Sequence, residues 1–247
     1  MNFLLCGKKG APAVLLIHGE AMSAESCYED IARALGRKYR VIMACLDGHD
    51  PYSDSLFESL TGCCERIEKY IRKRFGGRLW AISGFSLGGT VALELVKRGN
   101  IKVSRLHLDA PLCHSPGLKA IPYTLMFTKG AEFIKKGHKL PDIVVEKVYG
   151  KGNAGMQKLF YKDIDMHSVE NLCTEMYSYK LSPRLERCRV PVELWCGSEE
   201  KGSKQSARGL EQYIPKMRVR VFKGFGHGQI LRAHKRAYVR ELKAFLA

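Results

Sequence analysis

The sequence predicts an α/β fold: a mostly parallel central sheet with helices on both faces and a helical insertion. Short apolar runs alternate with stretches of helical spacing along most of the 247 residues. The runs are nearly continuous in apolar character, as expected of strands buried on both faces. Over residues 111–182 the alternation stops and gives way to helix-like stretches rich in Tyr, Phe, Met and Lys. A hydrophobic fraction of 45% supplies a sizeable core, and no polar or low-complexity tract argues for disorder.

Taken in order, NFLLC (2–6) reads as an edge strand and AVLLI (13–17) as a buried one, with a helix over 23–37. YRVIMACL (39–46) follows, ahead of an amphipathic stretch over 54–75. RLWAIS (78–83) runs into helical spacing over 86–97, and VSRLHLD (103–109) is the last strand before the insertion. After it come PVELWC (191–196), a helix over 203–213, VRVF (219–222) and a terminal helix over 229–245. This order predicts a core of residues 1–110 and 183–247 and a helical cap of residues 111–182.

Composition narrows the function classes. The net charge of +16 is concentrated late: residues 183–247 hold 15 Lys and Arg against 6 Asp and Glu. In RAHKRAYVRELK these fall on the polar face of an amphipathic helix, either a solvated surface or one that attracts anionic partners. No helix-turn-helix, RNP-like or zinc-finger pattern accompanies them, so no nucleic-acid partner is expected. The nine cysteines lack CxxC or Cys/His metal spacing, so no metal is expected. MNFLLCGKKG is too short in apolar residues for a signal peptide and no run reaches membrane-spanning length, which predicts a cytoplasmic protein with reduced thiols.

One motif carries chemistry. GFSLGG (84–89) lies between a buried strand and an amphipathic helix, the context a nucleophile elbow requires. The turn holds Ser86 in a strained conformation, Gly84 and Gly88 remove side chains that would collide across it, and the following helix points N–H groups at the hydroxyl. A phosphate loop is excluded by the missing lysine of GxxxxGK[ST].

With this elbow, its strand order and its insertion point, the chain resembles the α/β-hydrolase family over essentially its whole length. The resemblance implies that HGE (18–20) opens an oxyanion loop, with the backbone N–H groups of Glu20 and Leu87 as donors and His18 bracing the loop. LDGHD (46–50) corresponds to the turn after the next strand, with His49 structural. A serine nucleophile needs an imidazole to take its proton and a carboxylate to orient that imidazole. His227, in GFGHGQ after the last strand, is the expected base, whereas His234 lies among Arg and Lys on the terminal helix. For the acid, Glu200 stands three residues after Gly197 where the family commonly has aspartate; Glu199 and Asp109 remain alternatives.

The resemblance implies a serine hydrolase acting on a carboxylic ester, a thioester or a related small acyl compound, with no cofactor. A serine at the elbow argues against the family's dehalogenases and epoxide hydrolases, which use aspartate there. The same triad also serves carbon–carbon bond hydrolases, lyases and acyltransferases, and a non-catalytic ligand-binding member is a further alternative. Tyr123, Met126, Phe127, Phe133, Phe160, Tyr161, Met166, Met176 and Tyr177 are the cap residues expected either to line an apolar pocket or to pack the cap onto the sheet.

Overall fold

The computed structural model describes residues 1–247. Its strands are β1 (Asn2–Gly7), β2 (Ala13–Ile17), β3 (Arg40–Cys45), β4 (Arg78–Leu79), β5 (Ala81–Phe85), β6 (Lys102–Val103), β7 (Leu106–Asp109), β8 (Val192–Gly197) and β9 (Arg218–Phe222). Seven form the central sheet in the order β1-β3-β2-β5-β7-β8-β9, while β4 pairs with β6 apart from it. Only β1 runs antiparallel to its neighbour; all other pairings are parallel.

The helices are α1 (Ala24–Leu35), α2 (Leu60–Phe75), α3 (Leu87–Arg98), α4 (Ala120–Lys135), α5 (Asp142–Tyr149), α6 (Met166–Ser178), α7 (Lys201–Glu211), α8 (Gln229–Ala233) and α9 (Lys235–Leu246). Successive strand residues feed opposite faces of the sheet. Leu15, Ile17, Ile42 and Ala44 join the core beneath α2, α3 and α7. Val14, Leu16, Val41 and Met43 join the core beneath α1 and α9. Strands β2 and β3 therefore have no polar face, which is why their apolar runs are unbroken.

Helices α4, α5 and α6 lie between β7 and β8 as an inserted helical subdomain. No helix is long and apolar enough to cross a membrane, and all nine cysteines are unpaired.

The structure corrects three expectations. Helix α2 starts at Leu60 rather than at residue 54, because Ser59 caps it by accepting from the Gly62 N–H at 3.1 Å. The segment before it instead meets the cap: the Phe57 N–H donates to Ser168 Oγ at 2.9 Å and the Leu60 N–H to the Glu175 carboxylate at 3.1 Å. The expected strands over 78–83 and 103–109 are each divided, their first residues forming β4 and β6 while β5 runs on through Phe85. The terminal helix breaks at His234, which leaves helical geometry (φ −127°, ψ 44°) and stacks its ring on Phe225 at 4.9 Å.

The passage from β5 into α3 is closely packed against backbone. A Cβ at Gly84 would strike the Gly88 carbonyl, and one at Gly88 would strike the carbonyls of Ile17 and His18 at the end of β2. These obstacles are backbone and cannot rotate away. Gly88→Ala should therefore cost about 3 kcal/mol or more of stability, seen as a lower midpoint in urea denaturation, with Gly130→Ala, where a Cβ meets nothing, as the tolerated control.

Candidate active site

Strand β5 delivers Ser86 to the carboxyl edge of the sheet in a conformation that an L residue rarely adopts, φ 52° and ψ −114°. The turn is held by backbone bonds: the Ser86 N–H donates to the Asp109 carbonyl at 2.8 Å, and its own carbonyl accepts from Gly89 at 2.9 Å and Thr90 at 3.2 Å. Only two other non-glycine residues have positive φ, Ala21 and Ala110. They follow Glu20 and β7 respectively, so all the backbone strain of this kind, about 1–3 kcal/mol per residue, gathers at one edge. The Ser86 side chain caps no helix and lines a cavity of about 770 Å³ roofed by the insertion.

His227 lines the same cavity from the loop after β9. Its Nδ1 bonds Glu200 Oε2 at 2.7 Å, which leaves Nε2 as the basic nitrogen when the ring is neutral. The loop is placed from the insertion: the His227 N–H donates to the Tyr149 carbonyl at 2.7 Å, and the ring packs 5.0 Å from Phe85 and 5.8 Å from Tyr149. Gly228 has φ 64°, and a Cβ there would press on the Phe85 ring. No hydrogen bond joins the ring to Ser86; the one its side chain makes is to Glu200. Such contacts commonly tighten only when substrate is bound.

Glu200 sits at the start of α7 with three donors on its carboxylate. Oε1 accepts from the Gly197 N–H at 2.5 Å; Oε2 accepts from Ser203 Oγ at 2.8 Å as well as from His227. Burial works to raise its pKa, but the His227 charge and these hydrogen bonds outweigh it and hold the carboxyl below its ordinary value. Burial likewise works to lower the pKa of His227, yet the Glu200 charge and hydrogen bond, then Asp109 and Glu20, bring it above the ordinary imidazole value.

On the other side of the serine, His18 ties down its loop. Its Nδ1–H donates to the Gly19 carbonyl at 2.8 Å and its Nε2 accepts the Leu46 N–H at 3.1 Å. Burial, then the neighbouring His49, depress its pKa to about 3, so the ring stays neutral. The Glu20 N–H makes no backbone hydrogen bond. Leu87 opens α3, where the first N–H groups have no acceptor within the helix. His49 is buried, donates to the Asp47 carbonyl at 3.1 Å and does not line the cavity.

The other carboxylates considered for the acid are placed differently. Glu199 is exposed and accepts only from Ser198 Oγ, at 3.3 Å. Asp109 is buried with Oδ2 unpartnered, does not reach the cavity, and has its pKa pushed up to about 8 by burial and by the Glu200 charge. A second serine–histidine pair, Ser83 Oγ and His107 Nδ1 at 2.8 Å, bridges β5 and β7, but both residues are fully buried and neither lines the cavity. It satisfies two polar groups inside the sheet. No group of three or more His, Cys, Asp or Glu is arranged to hold a metal ion.

The family of the α/β-hydrolase fold matches residues 12–138, just over half of the chain, from β2 through the elbow into the insertion. This chain is an α/β hydrolase by family. An α/β-hydrolase family protein from Desulfitobacterium hafniense superposes with a TM-score of 0.89 over 100% of both chains at 24% identity. The enol-lactonase from Burkholderia xenovorans LB400 superposes with 0.81 over 99% of this chain and 95% of its own at 16% identity. At such identities the likeness is one of fold. A pimeloyl-[acyl-carrier protein] methyl ester esterase from Nitrosomonas europaea is 29% identical over 99 residues, which are 40% of this chain and only 37% of that protein.

In this α/β hydrolase, five of the nine cap residues singled out by composition line the cavity: Tyr123, Met126, Phe127, Met176 and Tyr177. Phe133, Tyr161 and Met166 do not, and Phe160 borders a smaller adjoining cavity. Sequence reasoning missed the contribution of α5, whose Val144, Lys147, Val148 and Tyr149 line the wall. It also missed Asn153, which is fully buried. Its Nδ2 donates to the carbonyls of Tyr149 at 2.9 Å and His227 at 2.7 Å, and its Oδ1 accepts from Arg232 Nε at 3.0 Å. Asparagine in a KGNAG turn looks like ordinary turn chemistry, so no local signal marks it.

Two outcomes are expected. Glu200→Gln removes the charge that raises His227 and leaves the burial that lowers it, so the imidazole pKa falls below that of the wild type in an NMR titration. Asn153→Ala removes the amide donor from the His227 carbonyl and the acceptor from the Arg232 guanidinium and costs about 1–3 kcal/mol in urea denaturation.

Proposed function

We propose that this α/β hydrolase is a serine hydrolase that cleaves a carboxylic ester, a thioester or a related acyl substrate through an acyl-enzyme. The observation that carries the reading is the Glu200–His227 hydrogen bond of 2.7 Å on the wall of the cavity that Ser86 also lines. The apolar lining and residues 111–182 as a cap fit an acyl or alkyl group. The Nitrosomonas europaea relative is named as an esterase of a methyl ester, a bond within the proposed class. Nine cysteines without a disulfide between them are compatible with a cytoplasmic setting.

Ser86 Oγ attacks the carbonyl carbon while its proton passes to His227 Nε2. The imidazolium formed is stabilised by Glu200, which stays ionised because three donors hold its pKa down. The oxyanion accepts from the N–H groups of Glu20 and Leu87, each worth about 3 kcal/mol to the transition state. Collapse breaks the bond to the alcohol or thiol, which leaves with the proton from His227. Water then attacks the acyl-enzyme with His227 again as base, releasing the carboxylic acid and restoring the Ser86 hydroxyl. His227 must be neutral to start, and its pKa is raised, so activity is lost as pH falls through that raised value.

A fluorophosphonate probe should label the wild type and not Ser86→Ala, and p-nitrophenyl esters of graded chain length should then define the acyl preference. Glu200→Gln should lower kcat by about four orders of magnitude and move the acid limb of kcat/KM to lower pH. Labelling that survives in Ser86→Ala, or near-normal turnover in Glu200→Gln, contradicts these roles.

A further inference from the structure

The hydrolytic steps use the backbone of Glu20 and leave its carboxyl idle, although that carboxyl lies in the cavity. Glu20 borders both the 770 Å³ cavity and the smaller one adjoining it, where otherwise apolar residues of α4 and α5 form the wall. Its Oε1 accepts from the Cys173 thiol of α6 at 3.6 Å, and no lysine or arginine pairs with it. From α6 it faces Cys173 and Tyr177, from α5 Tyr149, and from the loop after β9 His227; Lys147 of α5 stands exposed at the cavity mouth. The thiol and both phenols are neutral, their pKa values raised by burial first and by the Glu20 charge next. Burial pushes Glu20 itself up to about 7, against the opposing pull of Cys173 and His227.

A carboxyl in this place is a cost that an apolar side chain would avoid, since the backbone N–H does not depend on it. A cation from outside would offset that cost in two ways, by pairing with the carboxylate and by resting against the faces of the tyrosines. A carboxylate on the ligand would meet like charge, and a plain alkyl group would leave Glu20 protonated and unpaired. We propose that Glu20, with Tyr149 and Tyr177, forms a subsite for an ammonium group, so that the cavity favours molecules carrying a basic nitrogen on an apolar chain. The proposal rests on reading this cavity as the substrate cavity of the hydrolytic reaction.

The test is calorimetric binding of octylammonium chloride, octan-1-ol and sodium octanoate to the whole protein, in two buffers of different ionisation heat. Octylammonium should bind the wild type at least about tenfold more tightly than octanol, and octanoate more weakly than either. Ammonium binding requires an ionised Glu20, so it should release close to one proton at about pH 6 and almost none at about pH 8. In Glu20→Gln, checked for folding by thermal denaturation, both the preference and the proton release should vanish. Equal affinity of the wild type for octylammonium and octanol overturns the proposal without recourse to any variant. So does proton release that persists in Glu20→Gln, which assigns it to His227. Binding needs no turnover, so a protein that binds octylammonium but resists the fluorophosphonate probe separates failure of the hydrolytic reading from failure of this one.

Discussion

Everything at the candidate site depends on how closely the start of α3 approaches the end of β2. Gly88 lies against the carbonyls of Ile17 and His18 with no room for a methyl group between them. That contact sets the serine turn beside the loop that carries Glu20. Two segments 66 residues apart in the chain thereby bring Glu20 and Ser86 to the wall of one cavity. The parallel register of β2 and β5, with Ile17 opposite Gly84, fixes their relative height.

The edge of the sheet also collects the energetic liabilities of the molecule. Three non-glycine residues with positive φ, an unpartnered buried oxygen of Asp109 and a group of mutually interacting carboxyls all lie at or just beneath it. Three acidic groups raise the His227 pKa, and their own environments separate them. Glu200 has three donors and is held ionised, whereas Asp109 and Glu20 are pushed toward neutrality, chiefly by burial. One imidazole thus has a single firm anionic partner rather than three competing ones. A second consequence is that the inserted helices do more than roof the cavity. Tyr149 and Asn153 bond the loop that carries His227, so displacement of the insertion would move the base as well as open the entrance.

Much of this was legible from sequence. Continuous apolar runs reveal strands covered on both faces because burial on both sides leaves no reason for alternation. GFSLGG between a strand and a helix marks the serine because only small residues tolerate the turn. The order of Ser86, Glu200 and His227 agrees with the one the resemblance to the α/β-hydrolase family implies. What local pattern could not provide were the breaks at Ser59 and His234, where a cap and a stacked ring ended or interrupted helical spacing that continues through them.

The sequence by itself determined the fold class and the elbow, which follow from periodicity and glycine placement, while the other candidate residues came from the resemblance to the α/β-hydrolase family. Only the tertiary structure gave the three carboxylates different surroundings. Glu200, Glu199 and Asp109 all end strands or start turns, and what distinguishes them is a 2.7 Å contact with a ring 27 residues away from Glu200. It likewise revealed that the carboxyl of Glu20 faces the cavity and that Asn153 holds the histidine loop. Those facts depend on which segments distant in the chain close around a side chain, and no spacing along the chain records that.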